Sequence, residues 1–338
     1  MKKPNIAVLG ATGVVGQEIL NILVENDVQY NEIKFLASAK SAGKQIDFKG
    51  AKHTVIEATP EAFEGINIVL ASAGGATSKK FAHEAVKRGA IFIDNSSAFR
   101  MDKDAPLVIV GVNHDDIKKH KGILPNPNCS TSQLMLVLKP LHDYAKIKRL
   151  IVSTYQAVSG AGIAAITELK ENTQAALNGE MFENKVFKKP IAFNVIPQID
   201  VFCENGYTKE EMKVVEETKK ILHLDENTLI TCTAVRVPVF NGHSEAVTIE
   251  FENEITADKA RELLSNAWGV EVVDSPSEYE FPTPHSASGK NPVYVGRIRK
   301  DLAFDNAISL WCVADNIRIG AALNTVRIAE KVIEMQLF

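Results

Sequence analysis

This 338-residue chain is poor in cysteine, with four residues at 129, 203, 232 and 312, far apart and with no C-x-x-C pair. Thiols so scattered suggest neither a disulfide framework nor a zinc knuckle, so a reducing, cytoplasmic setting is expected. The eight histidines include no H-E-x-x-H pattern, and no catalytic metal is expected. No apolar run approaches the roughly 20 residues of a membrane span. Met1-Lys-Lys-Pro leads at once into a strand and a glycine turn, so no secretory leader and no membrane association are expected. The net charge of −4 gives no reason to expect a nucleic-acid partner. Linkers, repeats and low-complexity stretches are missing too. The remainder is ordinary globular composition, 45% hydrophobic and 24% charged. At ~150 residues per domain, the length suggests two domains.

The most informative run is Leu124-Pro-Asn-Pro-Asn-Cys-Ser-Thr-Ser-Gln133. Two prolines and two asparagines keep the approach to Cys129 out of regular structure, and Leu134-Met-Leu-Val-Leu138 then reads as a buried helix. Cys129 therefore falls at or near a helix N-terminus, where unpaired N–H groups favour negative charge. Such a setting lowers a thiol pKa and makes a nucleophile. A small buried hydrophobe after a loop is the bland alternative, which the polar, proline-bracketed approach disfavours.

The N-terminal half reads as a nucleotide site. Strand Asn5-Ile-Ala-Val-Leu9 runs into Gly10-Ala-Thr-Gly13-Val-Val-Gly16 and then into a helical repeat. Strand, glycine turn and helix together let a backbone approach a pyrophosphate and aim a helix N-terminus at it. Gly10, Thr12, Gly13, Val14 and Val15 are the candidate contacts. The spacing is G-x-x-G-x-x-G, which is weak without this context. The strand at 33–37 ends in Ser38-Ala-Lys-Ser-Ala-Gly43, where an NAD site usually carries an acid for the ribose hydroxyls. Lys40 and Ser41 stand there instead and suit a 2′-phosphate, which favours NADP. Strands at 68–71 and 91–94, with a helix at 77–88 between them, end in Ala71-Ser-Ala-Gly-Gly75 and Asp94-Asn-Ser-Ser-Ala-Phe-Arg100. Ser72 then faces the ligand crevice, and Arg100 is either a phosphate fork or a surface arginine. A further strand is expected at 107–110 and a short polar helix at 115–120.

The second half carries more strands. The strand at 149–156 ends at Gln156, which suits a substrate carbonyl or a backbone partner. It runs into the small-residue loop Ala157-Val-Ser-Gly-Ala-Gly162, where Ser159 and Gly160 could wrap a nicotinamide. Helix 209–222 is charged, and Glu217 and Lys220, one turn apart, read on residue physics alone as a solvated pair. Strand 229–239 is followed by the turn Phe240-Asn-Gly-His243 and a strand from 244. His243, expected to be reachable in that turn, suits a general acid/base. Cys232 and Cys312 fall inside apolar strands and read as core. With strands at 293–299 and 307–314, this half suggests one large mixed sheet. One of its faces lacks helical cover, so a homodimer is expected. An amphipathic helix at 319–335 closes the chain.

Together these residues resemble the aspartate-β-semialdehyde dehydrogenase family over nearly the whole chain. The resemblance is carried by Gly10–Gly16, the runs 38–44 and 94–100, Pro125-Asn-Pro-Asn-Cys129, the run 154–160, Arg236-Val-Pro-Val-Phe-Asn-Gly-His243 and the run 315–324. The cysteine run combined with the Arg236–His243 spacing is the specific part. It implies an α/β fold with a Rossmann-type dinucleotide-binding domain at 1–128, completed by the C-terminal helix 316–338. An α+β catalytic and dimerisation domain would occupy 129–315. It implies NADPH-dependent conversion of L-aspartyl-4-phosphate to L-aspartate 4-semialdehyde, with release of inorganic phosphate. That reaction belongs to lysine, threonine, methionine and isoleucine biosynthesis. Cys129 would be the acylated nucleophile, His243 the acid/base and Gln156 the group that orients the acyl chain. Arg100 and Lys220 would bind phosphate, Arg236 the substrate carboxylate and Glu217 its ammonium. Asn316 would lie near the cofactor. The family resemblance thus replaces the solvated reading of Glu217 and Lys220 with a binding one.

The nearest rival is an N-acetyl-γ-glutamyl-phosphate reductase, which uses the same thioester chemistry on a longer, acetylated substrate. A free α-ammonium needs the counter-charge that Glu217 supplies, which favours the aspartyl substrate. A non-catalytic NADP-binding regulator need not keep Cys129, Gln156, Arg236 and His243 together.

Overall fold

The structure, a computed structural model, describes residues 3–338. The chain opens with β1 (Asn5–Leu9), α1 (Val14–Glu25) and β2 (Glu32–Ala37), followed by a small hairpin of β3 (Gln45–Phe48) and β4 (Ala51–Thr54) and by β5 (Ile56–Glu57). Then come β6 (Ile68–Ala71), α2 (Gly75–Lys87), β7 (Ile91–Asp94) and β8 (Ile123–Pro125). Six of these strands form an all-parallel sheet in the order β5-β2-β1-β6-β7-β8. The strands β1, β6 and β7 are near-continuous apolar runs because a parallel sheet is covered on both faces. Strand order reverses between β1 and β6, which makes their C-terminal ends the ligand crevice of a doubly wound sheet.

The next elements are α3 (Cys129–Ala145), β9 (Ile147–Gln156), α4 (Ile163–Leu177), α5 (Lys209–Leu222), β10 (Leu229–Arg236) and β11 (His243–Phe251). After them run α6 (Ala257–Ser265), β12 (Val270–Val272), α7 (Pro284–Ala287), β13 (Val293–Lys300) and β14 (Ala307–Ala314). A single π turn, Arg318–Ala322, leads into α8 (Leu323–Glu334). The second sheet is mixed, in the order β10-β9-β11-β14-β13-β12. Helices α3, α5 and α6 cover one face, where Thr154, Gln156, Arg236, His243 and Glu245 are buried. On the other face Tyr155 and Leu229 are exposed, and the Tyr155 and Trp311 rings pack 5.3 Å apart. The fold is thus the α/β pair of a Rossmann-type sheet and a mixed sheet expected from the sequence. By compactness the chain divides into one unit of residues 1–128 and 321–338 and a second of 129–320.

Several local expectations are corrected. Residues 107–110 form no strand. Asparagine side chains occupy their backbone groups instead: Asn324 bonds Val110 N–H and the Val108 carbonyl, and Asn113 bonds Ile109 N–H and the Leu107 carbonyl. The strand expected to reach 239 stops at Arg236, and the one expected from 244 starts at His243. The closing helix does not run smoothly from 319, because its first turn is the wider π turn. Helices α4 and α6 and the β3–β4 hairpin were not anticipated from the sequence, although Thr256 caps α6 by accepting from Lys259 N–H.

Candidate active site

In the first unit the glycine turn sits where β1 hands over to α1. A Cβ on Gly16 would lie 2.1 Å from the Gly10 carbonyl oxygen, so only glycine lets α1 start this close to the turn. A cavity of about 470 Å³ opens there, lined among others by Gly10, Thr12, Gly13, Ser38, Glu57, Ser72 and Lys80. Val14 and Val15 begin α1 and do not line it, and Lys40 and Ser41 lie just past the lining residues Ser38 and Ala39. Glu57 and Lys80 were not singled out in the sequence. Glu57 enters through its parallel register with Ala37, and Lys80 through its place on α2, neither of which a local motif announces.

Arg100 is buried in the same unit rather than spread on the surface. Its Nε donates to the Asn126 carbonyl at 2.9 Å and its Nη2 to the Asn95 carbonyl at 2.9 Å. Asn126 is itself held by Asn324 of α8, whose Nδ2 donates to Asn126 Oδ1 at 2.7 Å. Asp94 fixes the loop before Arg100 by accepting from Ser78, Ser96 N–H and the Ser96 hydroxyl at 2.6–2.9 Å.

In the second unit Cys129 is the first residue of α3 and is partly exposed. The residues from Ser130 to Gln133 behind it are fully buried. Strand ends supply the groups around it. Gln156 closes β9 and its Nε2 donates to Ser130 Oγ at 2.7 Å and to Glu210 Oε1 at 3.3 Å. Arg236 closes β10 and its Nη1 donates to the Ala157 carbonyl at 2.7 Å. Burial pulls the Arg236 guanidinium below its usual range, while the charges of Cys129 and Glu210 favour its cation.

His243 opens β11, and the expectation that a turn leaves it reachable is corrected: it is fully buried. The Ala157 N–H donates to its Nδ1 at 3.1 Å, while its Nε2 has no hydrogen-bond partner. Burial, reinforced by the Arg236 charge, holds the imidazole well below its usual pKa. The backbone bond assigns the hydrogen of the neutral ring to Nε2. Gly160 marks where these groups converge. A Cβ built on it would lie 3.1 Å from Arg236 Nη1 and 3.2 Å from His243 Nε2.

Glu217 is buried on α5, not on a solvated face, and Lys220 is half-buried one turn on. Ser159 Oγ and Asn316 Nδ2 are bonded at 3.0 Å, and Gly242 N–H donates to Asn316 Oδ1 at 2.9 Å, so Asn316 braces the turn before His243. Cys232 and Cys312 are buried, with burial and nearby carboxylates pushing both thiols up. Among the described residues no group of histidine, cysteine and carboxylate side chains is arranged to hold a metal.

Residues 5–120 match the family model described as semialdehyde dehydrogenase, NAD binding domain, and residues 138–319 match semialdehyde dehydrogenase, dimerisation domain. The aspartate-semialdehyde dehydrogenase of Aquifex aeolicus (strain VF5) is 52% identical over 333 residues, which are 97% of this chain and 98% of that protein. The chain belongs to the aspartate-semialdehyde dehydrogenase family. A crystal structure of aspartate semialdehyde dehydrogenase II from Vibrio cholerae, complexed with ASA, superposes with a TM-score of 0.96 at 44% identity, covering 99% of both chains. The aspartate semialdehyde dehydrogenase of Candida albicans with NADP superposes with a TM-score of 0.78 at 25% identity, covering 100% of both. The chain is therefore an oxidoreductase of this family, with an NAD(P)-binding domain and a dimerisation domain. No helix among the described residues is long and apolar enough to cross a membrane.

Proposed function

We propose that the chain catalyses NADPH-dependent reductive dephosphorylation of L-aspartyl-4-phosphate to L-aspartate 4-semialdehyde through an acyl thioester on Cys129. In the cell this step would serve lysine, threonine, methionine and isoleucine biosynthesis in the cytoplasm. The observation that carries the reading is the convergence of Arg236 Nη1 and His243 Nε2 at Gly160, together with a nucleophile at a helix start charge-coupled to Arg236.

The chemistry follows from these groups. The Cys129 thiolate attacks the acyl carbon, and phosphate leaves. NADPH, which Gly10, Thr12, Gly13 and Ser72 would hold, would supply hydride to the thioester carbonyl; collapse of the resulting hemithioacetal oxyanion on Cys129 expels the thiolate and releases the aldehyde. The thioester accepts hydride more readily than a carboxylate, so covalent catalysis divides one hard step into easier ones. A neutral His243 with its hydrogen on Nε2 acts as a donor to that oxyanion, and N–H groups at the start of α3 are a second source. Gln156, now on Ser130, orients the acyl group. Arg236 binds the substrate carboxylate. The buried Glu217 supplies the counter-charge for a free ammonium, which favours the aspartyl substrate over an acetylated glutamyl one. Arg100 and Lys220 take phosphate.

Ser159, Gly160 and Asn316 would contact the nicotinamide. For the cofactor, Lys40 with Ser41 and the pocket cation Lys80 support NADP, whereas Glu57 in the same lining is the one feature suited to the free ribose of NAD. The exposed apolar face that carries Tyr155, Leu229 and Trp311 supports a homodimer.

The test is NADPH formation from aspartate semialdehyde and NADP⁺, with and without inorganic phosphate, for the wild type and Cys129→Ser. Phosphate-dependent turnover in the wild type, lost in Cys129→Ser while NADPH still binds, is expected. Retained activity in Cys129→Ser would remove Cys129 as the nucleophile. Turnover with the acetylated glutamyl substrate alone would replace the substrate assignment. The same assay with NAD⁺ decides the cofactor, and sedimentation decides the dimer.

A further inference from the structure

Beneath Cys129 lies a buried polar cluster that the reaction as described does not use. Gln133 is one helical turn past Cys129 on α3, and Glu245 is two residues past His243 on the same face of β11; neither has any exposed surface. Gln133 Nε2 donates to the His243 backbone carbonyl at 3.3 Å. Glu245 stands directly opposite Cys312 of β14 and Thr154 of β9. The Cys312 thiol donates to Glu245 Oε2 at 3.3 Å, and Gln133 is within hydrogen-bonding reach of the same carboxyl group.

The donor count does not close. Gln133 Oε1 and Glu245 Oε1 are both buried without a hydrogen-bond partner. An ionised carboxylate and an amide oxygen only accept; the Thr154 hydroxyl, opposite Glu245 and itself buried without a partner, can donate to one of these two oxygens, and the other still requires a donor that the ionised form lacks. No ion pair among the described residues compensates a charge on Glu245, and a lone buried carboxylate is strongly disfavoured. A proton on Glu245 removes both problems at once.

We infer that Glu245 is a neutral carboxylic acid that donates to Gln133, and that through Gln133 it sets the position of His243 against the Cys129 helix. Glu245 is a positioning residue, since it touches no reacting atom. The inference rests on the roles proposed for Cys129 and His243, and one of its readouts is independent of them. Burial agrees with it, pushing the Glu245 carboxyl up to about 8 against the lowering effect of the Cys312 and Gln133 contacts. The groups that face Glu245 are Cys312 on β14, Thr154 on β9 and Gln133 on α3, with Cys232 of β10 within electrostatic range and the neutral His243 on its own strand.

The test pairs infrared spectroscopy with kinetics on the full-length enzyme. The wild type minus Glu245→Gln difference spectrum near neutral pH should contain the C=O band of a protonated carboxyl, shifted in D₂O. The S–H stretch of Cys312 should move in the variant. Carboxylate bands alone would overturn the inference, whatever the enzyme's activity proves to be. Glu245→Gln, whose amide can still donate to Gln133 and accept from Cys312, should keep kcat within about twofold. Its kcat should not share the wild type's decline as pH rises through about 8. Glu245→Leu should lose roughly tenfold to a hundredfold in kcat with little change in KM. A Glu245→Leu enzyme with wild-type kcat would also overturn it. If that variant fails to fold, the spectra and the Glu245→Gln pH profile decide. An inactive wild type with a protonated Glu245 band would refute the proposed reaction and leave the cluster's protonation standing.

Discussion

Replacing Gly160 with alanine places one methyl group at the centre of the proposed chemistry. Gly160 lies outside the left-handed region, so alanine brings no backbone strain there. The new Cβ would lie 3.1 Å from Arg236 Nη1, 3.2 Å from His243 Nε2 and 3.3 Å from His243 Cε1. These separations are a few tenths of an ångström short of ordinary contact. The neighbours yield by that much at a cost near the low end of the overpacking range, about 1 kcal/mol. Catalysis should suffer far more. The methyl occupies the point where His243, the proposed oxyanion donor, and Arg236, the proposed carboxylate ligand, converge, and it keeps the reacting oxygen away from His243 Nε2. Loss of one oxyanion donor typically costs about 2.7–4 kcal/mol, a factor of 10² to 10³. Phosphate-dependent NADPH formation should therefore fall by roughly that factor in kcat/KM, with only a small change in urea midpoint. NADPH affinity, measured by fluorescence, separates the two roles of this glycine. A variant that loses cofactor binding but keeps kcat would show that Gly160 only lines the nicotinamide. Wild-type kcat/KM with alanine in place would refute the convergence argument outright.

Other outcomes follow from the same geometry. In Gly320→Ala the new Cβ would meet Cys129 Cβ at 2.7 Å and Cα at 3.0 Å, so the helix start must move. A displacement approaching 1 Å should lower kcat about a hundredfold; an unchanged rate of Cys129 alkylation and an unchanged kcat would show that the π turn relaxes instead. Arg100→Ala should raise the phosphate KM and, by stranding the Asn95 and Asn126 carbonyls, cost about 1–3 kcal/mol of stability. Arg100→Lys should rescue the charge but not the fork, and an unaltered phosphate KM in both would take Arg100 out of the site. Glu245 also predicts a pH dependence of stability. Burial raises its folded-state pKa to about 8, above the ordinary glutamate value of 4.5, so the folded protein holds this proton more tightly than the unfolded chain. Its contribution is complete below pH 4.5 and is lost at about 1.4 kcal/mol per pH unit as pH rises towards 8. Denaturant midpoints should fall along that window in the wild type relative to Glu245→Gln; parallel curves would mean that Glu245 is not shifted.

The local chain settled a good part of this protein. The glycine turn between an apolar strand and a helix, and the proline-bracketed run that makes Cys129 the first residue of α3, are decided by backbone restrictions within a few residues. The apolar runs of β1, β6 and β7 announce a parallel sheet because burial on both faces leaves no room for alternation. Tertiary structure decided what depends on partners far along the chain. Residues 107–110 look like a strand but are held by Asn113 and by Asn324, more than two hundred positions away. His243 looks like an open turn histidine but is buried and fixed by Ala157, which leaves it a neutral donor. Glu217 belongs to a charged helix yet is buried, and no charge pattern reports which side of that helix meets the sheet. Gln133, Glu245 and Cys312 look like unrelated residues in the sequence. They become one cluster only when α3 covers the register of β11 with β14, because hydrogen-bond satisfaction is a property of the folded neighbourhood.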